Sequence, residues 1–261
     1  MTHKARKRFG QNFLQDTHVI DNILMTANPE RDEHWVEIGP GQGALTAPLL
    51  TTGVKLDLIE LDRDLVSYLA HKFANEERLT LHSQDALTVD FSQLATNSNR
   101  LHIIGNLPYN ISTPILFHLL NNSSCIRQMI FMLQKEVADR ICADAGSKTY
   151  GRLSVMVQSV CETQKLFDVS PGSFTPQPKV ESTVLKLSPE INKYPQILIP
   201  DIFKLIVRTA FSKRRKTIRN ALKGIINEEL LLSVAIDPFC RPETISVASY
   251  ITLANKMAGN Q

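Results

Sequence analysis

The chain has 261 residues, 43% of them hydrophobic and 21% charged, which leaves room for about two domains with real cores and excludes a disordered chain. Eleven Gly and thirteen Pro exclude collagen-like and low-complexity architectures, and no apolar run approaches the ~18 residues of a membrane span. The net charge of +3 is unevenly placed: residues 1–8 carry +4 (Lys4, Arg6, Lys7 and Arg8), residues 9–200 carry −6 and residues 201–261 carry +5, so cations cluster at both ends, as suits a polyanionic partner.

The basic N-terminus runs into polar residues and not into a signal-peptide core. Cys125, Cys142, Cys161 and Cys240 are scattered, with no C-x-x-C and no His at ligand spacing. Neither a disulfide framework nor a metal site is expected, and a reduced cytoplasm fits. His34–Ile38 reads as a buried strand running into Gly39-Pro40-Gly41-Gln42-Gly43, and residues 44–52 as a helix closed by Gly53. A second strand spans Val54–Ile59 and ends at Glu60. A helix over 62–74 carries Leu65, Val66, Leu69 and Phe73 on one stripe. Leu79–His82 is a third strand with Asp85 beyond it. Leu101–Gly105 is a fourth, leading into Asn106-Leu107-Pro108-Tyr109; a helix follows at about 113–120, then a fifth strand at Met129–Leu133. This alternation predicts an α/β fold with a mostly parallel sheet, helices on both faces, and ligands outside the carboxyl ends of the strands. From Ile202 the apolar residues keep a helical period, which predicts a small all-helical C-terminal domain over 201–261 after a domain over 1–190, joined through the Pro-containing stretch 188–200.

Glycines between a strand and a helix let the backbone turn tightly and approach a ligand. Glu60 ends the next strand 21 residues after Gly39, where a carboxylate can accept both hydroxyls of a ribose. The loop alone leaves NAD and S-adenosylmethionine open. Two features favour the second. Glu37 at the loop entrance would repel a pyrophosphate but suits a cationic amino acid moiety, and Asp85 is placed to take an adenine amino group. Asn106-Leu107-Pro108-Tyr109 faces the same crevice. The Asn106 side chain and the Leu107 main-chain carbonyl can accept the two hydrogens of an exocyclic amine. Pro108 stiffens the turn, and Tyr109 offers a ring for a planar base. Positioning and electrostatics suffice for such a transfer, without metal or covalent nucleophile.

Glu37–Gly43, Glu60, Asp85 and Asn106–Tyr109 resemble the Rossmann-like methyltransferases that modify adenine N6. With Gly10–Leu14, Phe174–Ser182 and Phe211–Lys216 in order, the chain resembles the small-subunit ribosomal RNA adenine dimethyltransferases over about residues 7–250. The resemblance implies S-adenosylmethionine as cofactor, with Asn12 and Leu14 folded over it. It puts Gly39 at the methionine end, Glu60 on the ribose and Asp85 on the adenine, with Glu37, Gly41 and Gly43 also expected to bind the cofactor. Asn106 is shared between cofactor and target amine, and Phe174 packs on a flipped adenine opposite Tyr109. The strict N-P-P-Y spelling has Pro where this chain has Leu107, whose carbonyl serves equally. The implied substrate is two adjacent adenosines in the 3′-terminal hairpin loop of 16S rRNA in the small ribosomal subunit, with a role in subunit biogenesis. A 23S rRNA or a DNA adenine methyltransferase are the alternatives. A monomer is expected. The RNA contacts are expected from Lys4, Arg6, Lys7 and Arg8, and from Lys213, Arg214, Arg215, Lys216, Arg219 and Lys223, with Arg215, Arg219 and Lys223 on one helical face.

Overall fold

The computed structural model describes residues 11–95, 100–109, 111–190 and 193–259. The strand–helix alternation read from the sequence becomes β2 (His34–Ile38), α2 (Thr46–Thr51), β3 (Lys55–Glu60), α3 (Arg63–Lys72), β4 (Leu79–Ser83), β5 (Leu101–Asn106), α5 (Ser112–Asn121) and β6 (Ile126–Gln134). Before these lie β1 (Phe13–Leu14) and α1 (Thr17–Ala27), and a one-turn α4 (Phe91–Leu94) precedes β5. Asp16 starts α1 by accepting from the His18 and Val19 amides, and Asp62 starts α3 by accepting from Asp64, each satisfying amides that a helix end leaves open.

The strands form one seven-stranded sheet in the order β4-β3-β2-β5-β6-β9-β7, where β7 is Cys161–Val169 and β9 is Ser182–Pro189. The first five run parallel, and β9 pairs antiparallel with β6. The chain builds outward from β2 to β4, then returns to the other side of β2 with β5. The crevice for a ligand therefore opens between the carboxyl ends of β2 and β5. Almost every residue of β2, β3, β5 and β6 is buried, on both alternating faces, as in a sheet covered by helices on each side. At that junction the two backbones touch: a Cβ at Gly105 would come 2.5 Å from the Ile38 carbonyl oxygen. Only glycine admits this approach.

Several elements were not legible beforehand, β7, β9 and β8 (Phe174–Thr175) among them. β7 and β9 extend the sheet past the fifth expected strand, and β9 takes in Ser188 and Pro189, which the sequence suggested as linker. β8 pairs antiparallel with β1, Phe13 opposite Thr175 and Leu14 opposite Phe174. The contacts also divide the chain differently from a single boundary near 190–201. One unit comprises residues up to Ala138 plus Gln164–Pro189; the other comprises Asp139–Thr163 plus residues from Glu190 on. The second unit holds α7 (Arg152–Gln158), α8 (Pro200–Ser212), α9 (Ile218–Ala221), α10 (Glu228–Ser233) and α11 (Val247–Ala258), with α6 (Lys135–Ile141) crossing its boundary. Tyr150 explains why 139–163 belongs there. It is fully buried, bonds the Ile245 carbonyl at 3.0 Å and packs edge-on against Phe211, which in turn meets Tyr250. A long-range aromatic cluster of this kind leaves no local sequence signal.

Candidate active site

A cavity of about 300 Å³ lies at the carboxyl ends of β2, β3, β4 and β5. The loop after β2 forms one wall. Gly39, Gly41 and Gly43 have φ of +66, +57 and +79°, a backbone that side chains other than glycine's resist. Gly39 and Gly41 line the cavity and Gly43 does not. A Cβ on Gly43 would meet the Phe73 ring at 2.9 Å, so this glycine serves the packing of the loop on the end of α3.

The carboxylates stand where the strands end. Glu37 and Glu60 are only 2% and 7% exposed. Glu37 accepts the Thr46 hydroxyl at 2.6 Å, and burial, reinforced by the nearby Glu60 charge and opposed by the Thr46 bond, pushes its carboxyl up to about 7. Glu60 accepts the Asp62 amide at 2.8 Å. Its carboxyl is also raised by burial, against the pull of the Asp62, Gly41 and Leu61 amides. Asp85 lines the cavity while its Oδ1 caps the turn after β4 by accepting from Leu87 at 2.9 Å.

Asn106, Leu107, Pro108 and Tyr109 form the wall opposite the glycine loop. The two walls nearly touch: a Cβ on Gly39 would lie 4.0 Å from both the Asn106 carbonyl oxygen and Pro108 Cδ. Leu107 lines the cavity and is only 1% exposed as a residue. Asn106 donates through Nδ2 to the Asn12 carbonyl at 2.9 Å. A carbonyl can only accept, so this bond fixes which end of the amide is spent and leaves Oδ1 as the acceptor for an incoming group. The Tyr109 ring is half-buried, its hydroxyl 2.8 Å from Ser182 Oγ. Burial raises the phenol further above its ordinary range, so it stays protonated at neutral pH.

The segment 11–14 roofs the cavity. Gln11 reaches Asp62 at 3.1 Å, Phe13 lies so close on the loop that a Cβ at Gly41 would meet its ring at 3.0 Å, and Asn12 and Leu14 face inward. The pairing of β1 with β8 holds the roof, with Gln15 and Asp16 bonded to Ser173, and Gln15 to Thr175. Phe174 is 2% exposed, belongs to the core cluster around Leu14, Trp35 and Met132, and does not line this cavity. Its ring anchors β8 and, through it, β1. Sequence reasoning missed Gln11, Phe13, Gln84 and Leu61 as cavity residues. Leu61 carried a usable signal, an apolar residue directly after Glu60 at a strand end; in the fold it is 50% exposed.

In the helical unit, Lys213, Arg214, Arg215 and Lys216 are exposed. α9 is a single turn over Ile218–Ala221, so Arg215 lies before it and Lys223 after it. The expected shared face of Arg215, Arg219 and Lys223 is therefore not built. Arg219 pairs with Glu228 at 3.0 Å and stacks over the Phe239 ring at 4.7 Å, while Arg214 bonds the Lys148 carbonyl and approaches Glu243. Lys4, Arg6, Lys7 and Arg8 lie outside the described residues. Among the described residues, no group of three or more His, Cys, Asp or Glu could hold a metal, and no helix is long and apolar enough to cross a membrane.

Residues 2–258 match the family model "Ribosomal RNA adenine dimethylase". The chain is 48% identical to the ribosomal RNA small subunit methyltransferase A of Pseudomonas putida, over 99% of this chain and 97% of that protein. It is 51% identical to the protein of the same name from Nitrosococcus oceani, over 96% and 95%. The fold is shared with a dimethyladenosine transferase from Plasmodium falciparum (TM-score 0.81, 24% identity, 94% of this chain and 98% of that one). It is also shared with the 23S rRNA methyltransferase ErmE (TM-score 0.72, 23% identity, 95% and 100%).

Proposed function

The chain belongs to the ribosomal RNA adenine dimethylase family, and from that membership we propose how its residues divide the work of methylating adenine N6 in small-subunit rRNA. The enzyme is an S-adenosylmethionine-dependent rRNA adenine dimethyltransferase. Two adjacent adenosines in the 3′-terminal hairpin loop of 16S rRNA are its targets in this reading, which places the enzyme in the cytoplasm and in small-subunit biogenesis. A monomer belongs to the same reading. The observation that carries the reading is the meeting of the glycine loop and the Asn106–Tyr109 turn over one cavity roofed by residues 11–14.

The cavity fits the cofactor. About 300 Å³ is the lower end of small-molecule sites, and its donor set suits a nucleoside with a cationic tail. Glu60 would hold the ribose hydroxyls, Asp85 the adenine amine and Glu37 the amino acid end. Ile59, Leu61, Leu65, Ala86 and Leu87 supply apolar walls. When bound, S-adenosylmethionine supplies an electrophilic methyl on a sulfonium. This chain's own residues hold the acceptor. Asn106 Oδ1 and the Leu107 carbonyl accept from the target amine, Tyr109 sets the plane of the base, and the roof excludes water. An adenine in a loop is already partly unstacked, so it costs less to present than one in duplex.

The whole reading is tested by supplying labelled S-adenosylmethionine to small-subunit and, side by side, large-subunit particles from cells lacking the enzyme, then digesting each RNA to nucleosides. N6,N6-dimethyladenosine is expected; label appearing only in large-subunit RNA would transfer the reading to a 23S enzyme. Glu60→Ala should weaken cofactor binding by about 2 kcal/mol, the scale of a charge-assisted pair of hydrogen bonds, with calorimetry as the check.

The RNA contacts divide into free and engaged cations. Lys213, Arg215 and Lys216 are exposed, whereas Arg214 and Arg219 serve their own unit. Replacing Lys213, Arg215 and Lys216 together by Ala should reduce the log–log salt slope of particle binding by about 2 and leave cofactor affinity intact. An unchanged slope in a filter-binding series would make the stretch a solvated face.

A further inference from the structure

We propose that Ser182 is a positioning residue for methyl transfer, fixing the ring of Tyr109 and with it the balance between the first and second methylation. The inference deepens the reading that Tyr109 receives the target base, and rests on it. Ser182 is 1% exposed and opens β9, in register with Gln134 of β6. Tyr109 follows β5, on the far side of β6 from β9. The ring therefore spans the carboxyl end of β6, and its hydroxyl meets Ser182 Oγ at 2.8 Å.

Two features make this more than a satisfied hydroxyl. A half-buried ring fixed only through its Cβ keeps rotamer freedom, and a base stacked on it inherits that freedom. The Ser182 bond pins the opposite end of the ring to a laddered strand, so ring plane and sheet move as one body. Further, the hydroxyl of a buried serine can be satisfied by nearby backbone; here it reaches 73 residues back in sequence to the NLPY turn. Asn106 is pinned from the other side by the Asn12 carbonyl. The acceptor and the stacking plane thus have independent anchors, one in the roof and one in the sheet. N6-methyladenine is bulkier and offers one hydrogen instead of two. Its placement leans more on the ring, so the second transfer is the more sensitive step.

The test uses the full chain, particles lacking the modification, and single-turnover analysis of mono- and dimethylated nucleosides. Ser182→Ala should lower the rate of the second transfer about tenfold, accumulate N6-methyladenosine, and leave the KM for the particle and the cofactor affinity within twofold. Tyr109→Phe removes the same bond from the other end and should match it. The double variant should be no slower than either single one, because one bond is lost in all three. Ser182→Thr, which keeps a hydroxyl, should recover most of the second transfer. Wild-type product ratios in Ser182→Ala, or rate losses that multiply in the double variant, would overturn the proposal. Tyr109→Phe carries the test if Ser182→Ala does not fold. Tyr109→Ala separates the two levels. If it retains full activity, the stacking role of Tyr109 is wrong; if it is inactive while Ser182→Ala and Tyr109→Phe are normal, only the role of Ser182 fails.

Discussion

Asn106→Ala should reduce single-turnover methylation by about 100–1000-fold, the usual cost of removing a preorganised polar group from a reacting centre. The variant deletes the Oδ1 acceptor for the target amine. It also deletes the Nδ2 donor to the Asn12 carbonyl, so the roof loses one of its ties. Cofactor affinity should therefore fall as well, but by less than tenfold, because Glu60, Asp85 and the glycine loop are untouched. Asn106→Asp distinguishes the two losses. It keeps an acceptor but turns the tie into a contact between two oxygens, so it should weaken the roof at least as much as Ala does. Methylation near wild-type rates in Asn106→Ala would remove Asn106 from the chemistry.

What the sequence disclosed, and what it withheld, follows from the range of the interactions. Glu60, Asp85 and Asn106 were legible because each stands at or just beyond the carboxyl end of a strand of a parallel sheet, and strand ends are where such sheets keep their ligands. The alternation that marks those strands is local, so no partner need be known. Gly39 and Gly41 were legible for the same reason. Gly43 looked identical in sequence, but its neighbour is Phe73 of a later element. The packing of Phe174 was not legible because an aromatic residue in a Pro-rich loop reads alike whether it faces a ligand or a core, and its pairing with Leu14 spans 160 residues. β7 escaped notice because its sequence, CETQKLFDV, is half-solvated and mostly polar, so neither a buried run nor a clean alternation announces it. The Lys-Arg run at 213–216 gave its charge faithfully and its geometry wrongly. A helix of four residues is too short for an i, i+8 face, and the engaged Arg214 and Arg219 are distinguished from their neighbours only by Lys148, Glu243, Glu228 and Phe239.

Glu37 makes the unliganded protein sensitive to pH in a direction that can be worked out. Its carboxyl sits at about 7 in the folded chain against 4.5 ordinarily. Between those values the folded state keeps a proton that the unfolded chain has released, so stability falls as pH rises through the window and is fully present below it. The shift corresponds to about 2–3 kcal/mol lost between pH 4.5 and 8. Glu37→Gln keeps an acceptor for the Thr46 hydroxyl and carries no charge, so its stability should lack this component. Comparing denaturant unfolding of the two proteins at pH 5 and pH 8 isolates it, since the other titrating groups are common to both. The same carboxyl lines the cavity, and a cationic amino group placed beside it favours the ionised form. Glu37 should then give up its proton on cofactor binding near pH 6.5, and cofactor affinity should rise between pH 5.5 and 7 in the wild type but stay flat in Glu37→Gln. Equal pH dependence in the two proteins, in either measurement, would show that Glu37 is already charged in the empty cavity and that Thr46 alone sustains the charge.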